Sequence, residues 1–269
     1  MALLGGGYTH QRGKYQKEVG AGLDYLVDRM RHTSFGGSLD EGTMYAHGIA
    51  TIALAEAYAM TGDSALHEPV RDAVEFIQSA QHAKGGWRYT PGQPGDMTVT
   101  GWQIMALKSA SLRNIHPEPE VWEKASEFID SLASSGFGIY GYQKADEAKV
   151  NVTTTSVGLL AQMYMGWPRE EQALSDGLDV IVAKGPSDHD LYYNYYATLV
   201  LHHTSAKEWP VWNSQLRDFL VKTQSDQGHE AGSWYFKDEH GTVGGRLYST
   251  AMAVMILEVY YRYLPLYQK

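Results

Sequence analysis

The feature that most constrains the fold is an apolar eight-residue segment that occurs five times. Each copy begins with a polar residue and ends with a leucine seven positions later. The copies are His47–Leu54, Thr100–Leu107, Thr153–Leu160, Asn194–Leu201 and Thr250–Leu257. Their first residues are 53, 53, 41 and 56 positions apart. Recurrence at intervals of this size is typical of folds that stack one supersecondary unit.

An amphipathic helical pattern precedes each apolar copy. In the first, Val19, Leu23 and Leu26 lie on one stripe, and the opposite face is polar. Proline is tolerated in the first turn of a helix, where the N–H groups have no helical acceptor. Five of the nine prolines fall at or just before the starts of the last four amphipathic helices: Pro69, Pro117, Pro119, Pro168 and Pro210. The repeating unit is therefore predicted to be a helical hairpin.

Five such hairpins predict an all-α protein, and we expect an α/α toroid with an inner and an outer ring of helices. The apolar helices are short and rich in small residues such as Ala50, Ala53 and Ala57, which suits burial on most sides. An open solenoid would leave one of their faces exposed along its length. Residues 1–269 are expected to form a single domain that is part of a larger polypeptide, with residues 1–13 as a boundary segment.

In a toroid of this kind, every loop from an outer to an inner helix lies at the same end of the ring, here called the mouth. Long loops on a rigid scaffold commonly carry function. The predicted mouth loops are approximately 35–44, 84–97, 135–150, 184–192 and 227–247. The polar first residues of the inner helices, here called the anchors, would lie just inside the mouth. Such residues either bond to nearby backbone groups or contact a ligand.

Charge and composition exclude several classes of function. The chain has 22 basic and 31 acidic residues, a net charge of −9, which argues against nucleic acid as a partner. It has no cysteine and therefore no thiolate metal site. Asp188–Asp190 and Asp238–His240 carry metal-ligand residue types without a known spacing, so we interpret them as solvated loop charge. No metal or cofactor is predicted, and no apolar run reaches the roughly 18 residues of a membrane span.

Aromatic residues are concentrated in or next to the predicted mouth loops. Their faces can stabilise carbocations or stack on sugar rings. The alternative interpretation is that they fill gaps between helices. The residues predicted to bind a ligand are Tyr45, Thr100, Trp102, Asn194, Arg246 and Tyr248.

The segment Gln81-His-Ala-Lys-Gly85-Gly-Trp87 fits the Gln-x-x-x-Gly-x-Trp repeat of squalene and oxidosqualene cyclases. A looser version runs from Gln224 to Trp234. With the hairpin pattern, most of the chain resembles the toroids of terpenoid cyclases and protein prenyltransferases. This resemblance implies structural roles for the Gln, Gly and Trp residues of the motif, which tie an outer helix to a neighbouring turn.

The resemblance also implies an isoprenoid-type apolar ligand in an aromatic central cavity, without the complete catalytic motifs of the family. Only Asp96 and Thr100 match the Asp-x-Asp-Asp-Thr segment of hopene-type cyclases, and the cysteine ligand of the prenyltransferase zinc is missing. The candidate catalytic residues are Asp96 as an acid and His47 as a modulator of its proton affinity. Two alternatives remain open: a non-catalytic module that binds a protein partner, and a polysaccharide lyase or hydrolase acting at the mouth.

Overall fold

The computed structural model describes residues 1–39, 42–134, 138–145 and 151–262. The helices in this part of the chain are α1 Ala2–Gly5, α2 Gln16–Arg29, α3 Met44–Thr61, α4 His67–Ala80, α5 Met97–Ser111, α6 Pro119–Ser131, α7 Val152–Met165, α8 Gln172–Lys184, α9 Leu191–His203, α10 Trp209–Thr223 and α11 Glu239–Glu258. Two short strands, β1 Arg31–Thr33 and β2 Gly36–Ser38, form an antiparallel ribbon after α2.

The helices form an α/α toroid, as predicted. The odd-numbered helices from α3 to α11 form the inner ring, in which each contacts the next, and the even-numbered helices from α2 to α10 lie outside them. The predicted apolar copies all fall within the inner helices. No helix in the described ranges is long and apolar enough to cross a membrane.

Burial follows the apolar pattern of the inner helices and the amphipathic pattern of the outer helices. Twelve of the 13 residues of α9 are buried, because this inner helix packs against neighbours on almost every side. The outer helix α6 buries only one stripe, made by Val121, Ala125, Phe128 and Ile129. Apolar side chains buried on folding are the main stabilising contribution in such a core. The inner ring therefore forms the centre of the hydrophobic core.

All five inner helices begin with a side chain that caps the helix. The caps are Thr43, Asp96, Asn151, Asp190 and Asp238, each of which accepts a hydrogen bond from a backbone N–H in the first turn. Such caps satisfy N–H groups that have no acceptor within the helix. The start of each inner helix, and hence the position of the mouth, is fixed by this local interaction.

The gap between the last and first inner helices is occupied by α1, which contacts both α11 and α3. Gly5 packs directly on the carboxylate of Glu258, where a Cβ would lie 1.9 Å from Oε1. Beside it, the guanidinium of Arg262 bonds to the Glu56 carboxylate and lies 3.3 Å from Oε1 of Glu258. These three side chains are at most 8% exposed. A buried ion cluster thus joins α3 to the end of α11.

Glu258 makes the stability of the ring dependent on pH. Burial raises its pKa to about 8, an effect strengthened by Glu56 and opposed by Arg262 and the Met1 amino group. The folded chain therefore keeps a proton that the unfolded chain releases, and the contribution to stability is lost as pH rises through the folded pKa. Between pH 6.5 and 8.5 we expect the unfolding free energy of wild type to fall by about 2 kcal/mol relative to that of Glu258→Gln, which has no carboxyl group to ionise.

Denaturant unfolding of both proteins at several pH values measures this difference. The difference removes contributions that are common to both proteins. His203 has a pKa lowered to about 3, chiefly by burial, so it affects stability only below about pH 6.5. Exposed Glu120→Gln serves as the control. Parallel curves of unfolding free energy against pH for wild type and Glu258→Gln would show that Glu258 is not the group whose raised pKa makes stability depend on pH.

Candidate functional site

The anchors hold the mouth loops to the inner helices. In each hairpin a polar side chain of the inner helix accepts a hydrogen bond from one backbone N–H in the preceding loop, at 2.9–3.2 Å. The pairs are His47 with Leu39, Thr100 with Trp87, Thr155 with Tyr140, Asn194 with Ser187, and Thr250 with Trp234. In α7 the role falls to Thr155, two residues after the predicted Thr153.

Three of the predicted site residues, His47, Thr100 and Asn194, bond to the backbone of the mouth loops in this way. His47 Nδ1 accepts from Leu39, and its Nε2 lies 3.0 Å from the carbonyl oxygen of Ala73 in α4. The Asn194 side-chain amide also donates to the carbonyl of Ser187 at 2.7 Å. His47, Thr100 and Asn194 are fully buried and bond to backbone, so the structure places them behind the cavity wall described below.

The first Gln–Trp motif ties the second hairpin to the third. The side chain of Gln81 donates to the carbonyl of Val121 in α6 at 3.0 Å, and Trp87 Nε1 donates to the carbonyl of Ile77 at 2.7 Å. Gly85 has φ +75°, and a Cβ there would lie 2.0 Å from the carbonyl oxygen of Lys124. Only glycine permits this close approach to α6.

The second motif acts within its own hairpin. Gln224 donates to the carbonyl of Gly232 at 2.9 Å, and Trp234 Nε1 donates to the carbonyl of Leu220 at 2.7 Å. The indole therefore repeats the contact made by Trp87, while the glutamine bonds inside the loop.

A cavity of about 470 Å³ lies inside the mouth, between the starts of the inner helices. Five aromatic side chains line it: Tyr45, Tyr89, Trp102, Tyr192 and Tyr248. His240 adds an imidazole, 5.2 Å from the Tyr192 ring and 6.1 Å from the Tyr248 ring. Deeper in the ring, Ile49, Ala251, Met252 and Met255 line it together with Met1. The volume lies within the range of small-molecule sites.

The structure brings together three of the residues predicted to bind a ligand, Tyr45, Trp102 and Tyr248. Tyr89 and Tyr192 belong to the aromatic residues predicted at the mouth but were not assigned to a ligand. The sequence indicates only loop charge at His240, because nothing in its local sequence shows that the start of α11 faces the centre of the ring.

Hydrogen bonds fix the aromatic wall. Trp102 Nε1 donates to the Tyr192 hydroxyl at 3.0 Å, and the Tyr45 hydroxyl lies 2.6 Å from Oγ1 of Thr98. On the loop side, the hydroxyls of Tyr89 and Tyr142 are 3.1 Å apart. These bonds hold the rings in set positions while leaving each hydroxyl further hydrogen-bonding capacity.

Asp96 lies behind this wall and is fully buried. Its Oδ1 accepts from the N–H of Val99 and from the Thr98 hydroxyl, both at 2.9 Å, and its Oδ2 lies 3.8 Å from Nε of Arg88. Burial raises the pKa of the carboxyl, while these hydrogen bonds and Arg88 oppose the rise. Thr98 and Tyr45 connect Asp96 to the cavity.

Arg246 braces the last mouth loop. It donates to a Glu230 carboxylate oxygen at 2.7 Å and to the hydroxyls of Ser225 and Ser233 at 3.2 and 3.1 Å. It follows the kink of α11 at Gly245, where φ is 66°. The structure therefore places Arg246 among loop groups and outside the set of residues that lines the cavity.

Several charged residues of the predicted mouth, Asp40, Glu41, Asp146, Glu147 and Lys149, lie outside the described residues. Within the described ranges, no Lys, Arg, Asp or Glu side chain lines the cavity. No group of three or more His, Asp or Glu residues in these ranges is placed to hold a metal ion. The described wall therefore offers neutral aromatic faces, hydroxyls and one imidazole.

Fold and cavity define this chain as an α/α toroid with an aromatic site at its mouth. No protein-family model matches the sequence, and no curated protein matches it. Among solved structures, it is similar to two inactive variants of the α-1,6-mannanase GH76A of Salegentibacter sp. HEL1_6, in which two neighbouring aspartates are replaced by alanine or by asparagine. These were solved in complex with α-1,6-mannotetrose and α-1,6-mannotriose, respectively.

The TM-scores are 0.55 and 0.54 at 12% and 11% identity, and each match covers 82% of this chain and 76% of the other. The likeness establishes the α/α toroid. The neighbours are glycoside hydrolases, so the more specific resemblance to terpenoid cyclases and prenyltransferases is not confirmed.

Proposed function

We propose that this toroid binds a neutral saccharide in its central cavity. The observation that carries the proposal is the composition of the wall: four tyrosines, one tryptophan and one histidine, with no charged side chain among the described lining residues. A sugar ring has apolar C–H faces that pack on aromatic rings and hydroxyls that bond to a polar rim. The volume of about 470 Å³ is of the size that one or two sugar rings occupy.

The protonation of the wall supports a neutral ligand. Burial raises the pKa of the Tyr45, Tyr192 and Tyr248 hydroxyls well above the ordinary tyrosine value. They remain protonated at neutral pH and can both donate and accept hydrogen bonds. Such groups match the alternating donors and acceptors of sugar hydroxyls.

The same wall favours a saccharide over the isoprenoid ligand that the sequence resemblance implies. A diphosphate head group calls for cationic partners, and no Lys or Arg side chain lines the described cavity. A fully apolar ligand would offer the hydroxyls of the cavity wall no hydrogen-bond partner. An unmade hydrogen bond of this kind costs about 1–3 kcal/mol. The mannanase neighbours, solved with bound oligosaccharides, agree with this preference.

Removing one cavity hydroxyl should weaken saccharide binding. We expect Tyr45→Phe to raise the Kd for α-1,6-mannotetraose about fivefold, because it loses a hydrogen bond of about 1 kcal/mol while keeping the ring. Trp102→Ala should abolish measurable binding, since it removes a wall of the cavity and the partner of the Tyr192 hydroxyl. Isothermal titration calorimetry measures these constants.

The matched control is Tyr235→Phe, which removes a half-exposed hydroxyl in the last mouth loop, outside the cavity lining. It should bind like wild type. Cellotetraose and chitotetraose test other neutral saccharides, and farnesol tests the apolar alternative. Binding of farnesol with no heat from any of the three tetrasaccharides at 10 mM would refute the proposal.

Hydrolysis is a second candidate, supported by the acidic pair at the start of α11. The neighbours are inactivated by replacing two neighbouring aspartates, and this sequence has no consecutive aspartates. It has three Asp–Glu pairs in the predicted mouth loops, and the described pair, Asp238–Glu239, immediately precedes His240 in the cavity wall. Glycosidases use two carboxyl groups across the scissile bond. Release of new reducing ends from α-1,6-mannotetraose, lost in Glu239→Gln, would establish hydrolysis; binding without release would leave a saccharide-binding protein.

A further inference from the structure

The central cavity changes in chemical character with depth. Its upper wall consists of the five aromatic side chains and His240. Below them lie four side chains, here called the floor: Ile49, Ala251, Met252 and Met255. Met255 follows Tyr248 by seven residues in α11 and therefore lies about 10 Å farther from the mouth. Ile49 lies one turn, about 6 Å, below Tyr45 in α3.

The side chains of the floor are poor hydrogen-bonding partners. Alkyl groups neither donate nor accept, and the thioether sulfur of methionine is only a weak acceptor. A sugar carries hydroxyls on most of its carbons, so a ring pressed against the floor would lose hydrogen bonds to water without replacing them. A saccharide alone is therefore suited to the upper wall but not to the floor.

Part of the floor is open to the cavity. Ile49 is 37% exposed, although it lies within an inner helix between two buried residues, Gly48 and Ala50. Because Ile49 lines the cavity, its exposed surface is available to a ligand there. Met252 and Met255 are only 3% and 5% exposed, so they are already packed in place. The floor is thus a formed apolar surface with space above it.

An aliphatic chain is the kind of group that such a surface stabilises. Covering the floor with CH₂ groups removes apolar area of both partners from water. Methionine side chains are flexible and polarisable, and they adapt to apolar partners of different shapes. A chain alone would leave the hydroxyls of the upper wall without a partner. The two halves of the cavity together therefore call for a molecule that has both a sugar and a chain.

We propose that the central cavity binds a neutral glycoside with an aliphatic aglycone. The sugar lies between the aromatic rings, where Tyr45 and Tyr192 offer hydroxyls, and the chain lies on the floor. No Lys, Arg, Asp or Glu side chain lines the described part of the cavity, which suits an aglycone joined through an uncharged glycosidic oxygen. This ligand class rests on the saccharide site proposed above and adds the apolar half of the ligand.

Octyl α-D-mannoside is the probe, because its extended chain matches the depth of the floor. Methyl α-D-mannoside has the sugar without the chain, and 1-octanol has the chain without the sugar. In calorimetric titration below micelle-forming concentrations, we expect the octyl glycoside to bind at least about 100-fold more tightly than the methyl glycoside and about tenfold more tightly than octanol. Octyl and methyl β-D-glucoside repeat the comparison with a second sugar. Saturating octyl glycoside should also prevent tetrasaccharide binding, because both sugars use the upper wall.

Variants of the floor test where the chain lies. Ile49→Thr replaces an ethyl group by a hydroxyl and should weaken binding of octyl α-D-mannoside about tenfold. Ala251→Leu fills space above the floor and should weaken it similarly. Both variants should bind methyl α-D-mannoside like wild type, which verifies their fold. The matched control is Val221→Thr, at an exposed aliphatic residue of the outer helix α10 that lies outside the cavity lining.

The outcomes separate this proposal from saccharide binding itself. Octyl and methyl glycosides that bind equally well, in a protein that also binds a tetrasaccharide, would overturn the role of the floor and leave the saccharide site standing. Equal affinity for octanol and the octyl glycosides would overturn both proposals, since the sugar would contribute nothing. Equal affinity of wild type, Ile49→Thr and Ala251→Leu for octyl α-D-mannoside would show that the chain does not lie on the floor.

Discussion

Replacing Arg262 by glutamine is expected to lower the free energy of unfolding by about 3–5 kcal/mol. The guanidinium bonds to Glu56 and lies 3.3 Å from Glu258, in surroundings that exclude water. Its removal leaves the Glu56 carboxylate buried without its cation, and a buried charge is far more costly than the same charge in water. Chemical denaturation at pH 7 measures the loss.

Two variants separate this effect from a general loss of side-chain packing. Arg217→Gln removes an arginine from the exposed pair with Asp218 and should cost less than about 1 kcal/mol. The double variant Glu56→Gln/Arg262→Gln should recover part of the stability lost in Arg262→Gln, because it removes the uncompensated carboxylate. A double variant whose loss equals the sum of the two single losses would show that the ion pair does not hold the ring together.

Replacing Trp87 by alanine is expected to cost about 3–5 kcal/mol. The indole is fully buried between α4 and the inner ring, and its N–H satisfies the carbonyl of Ile77 at 2.7 Å. Truncation would open a large cavity and leave that carbonyl without its donor. Because the backbone N–H of Trp87 bonds to Thr100, the loop over the cavity should also loosen. Unfolding measurements and amide hydrogen exchange of residues 84–97 test both effects.

Trp87→Phe fills most of the same space but cannot donate to Ile77, so its loss should be intermediate. Trp122→Ala, on the partly exposed outer helix α6, provides the matched control and should cost clearly less. Equal losses for Trp87→Ala and Trp122→Ala would contradict a structural role for the motif tryptophan.

The sequence predicts the hairpins well because two independent signals agree. The apolar stripe of α6 and the nearly uniform apolarity of the inner helices are consequences of burial on one side or on all sides. The caps and prolines then mark where helices begin. The Gln81–Trp87 motif adds a long-range contact, to α6, which periodicity alone does not predict.

Features that depend on distant partners are not predictable in this way. The four residues of α1 carry no helical period, and their place between α11 and α3 depends on packing across the ring. The ribbon of β1 and β2 consists of two three-residue strands, too short for an alternating pattern. The partnership of Arg262 with Glu56 spans 206 positions.

The candidate site likewise contains residues that the sequence predicts and residues whose contacts it does not predict. Tyr45, Trp102 and Tyr248 are predictable as wall residues because each lies in the first turns of an inner helix or just past the α11 kink. Asp96 and His47 each have two interpretations in the sequence, since a carboxylate or an imidazole that bonds to nearby backbone groups can also take part in catalysis. The structure shows the bonds that they make to Val99, Thr98, Leu39 and Ala73. A catalytic role for either residue stays a prediction.

The five anchors also bear on how this fold can change during evolution or by design. In each hairpin, one side chain of the inner helix accepts a hydrogen bond from a backbone N–H of the mouth loop. Backbone groups are the same whatever side chains the loop carries, so this bond tolerates new loop sequences beyond the bonded residue. A new specificity can therefore be introduced in one loop while this bond to the inner helix is kept, provided that contacts between loops, such as that of Tyr89 with Tyr142, are kept as well.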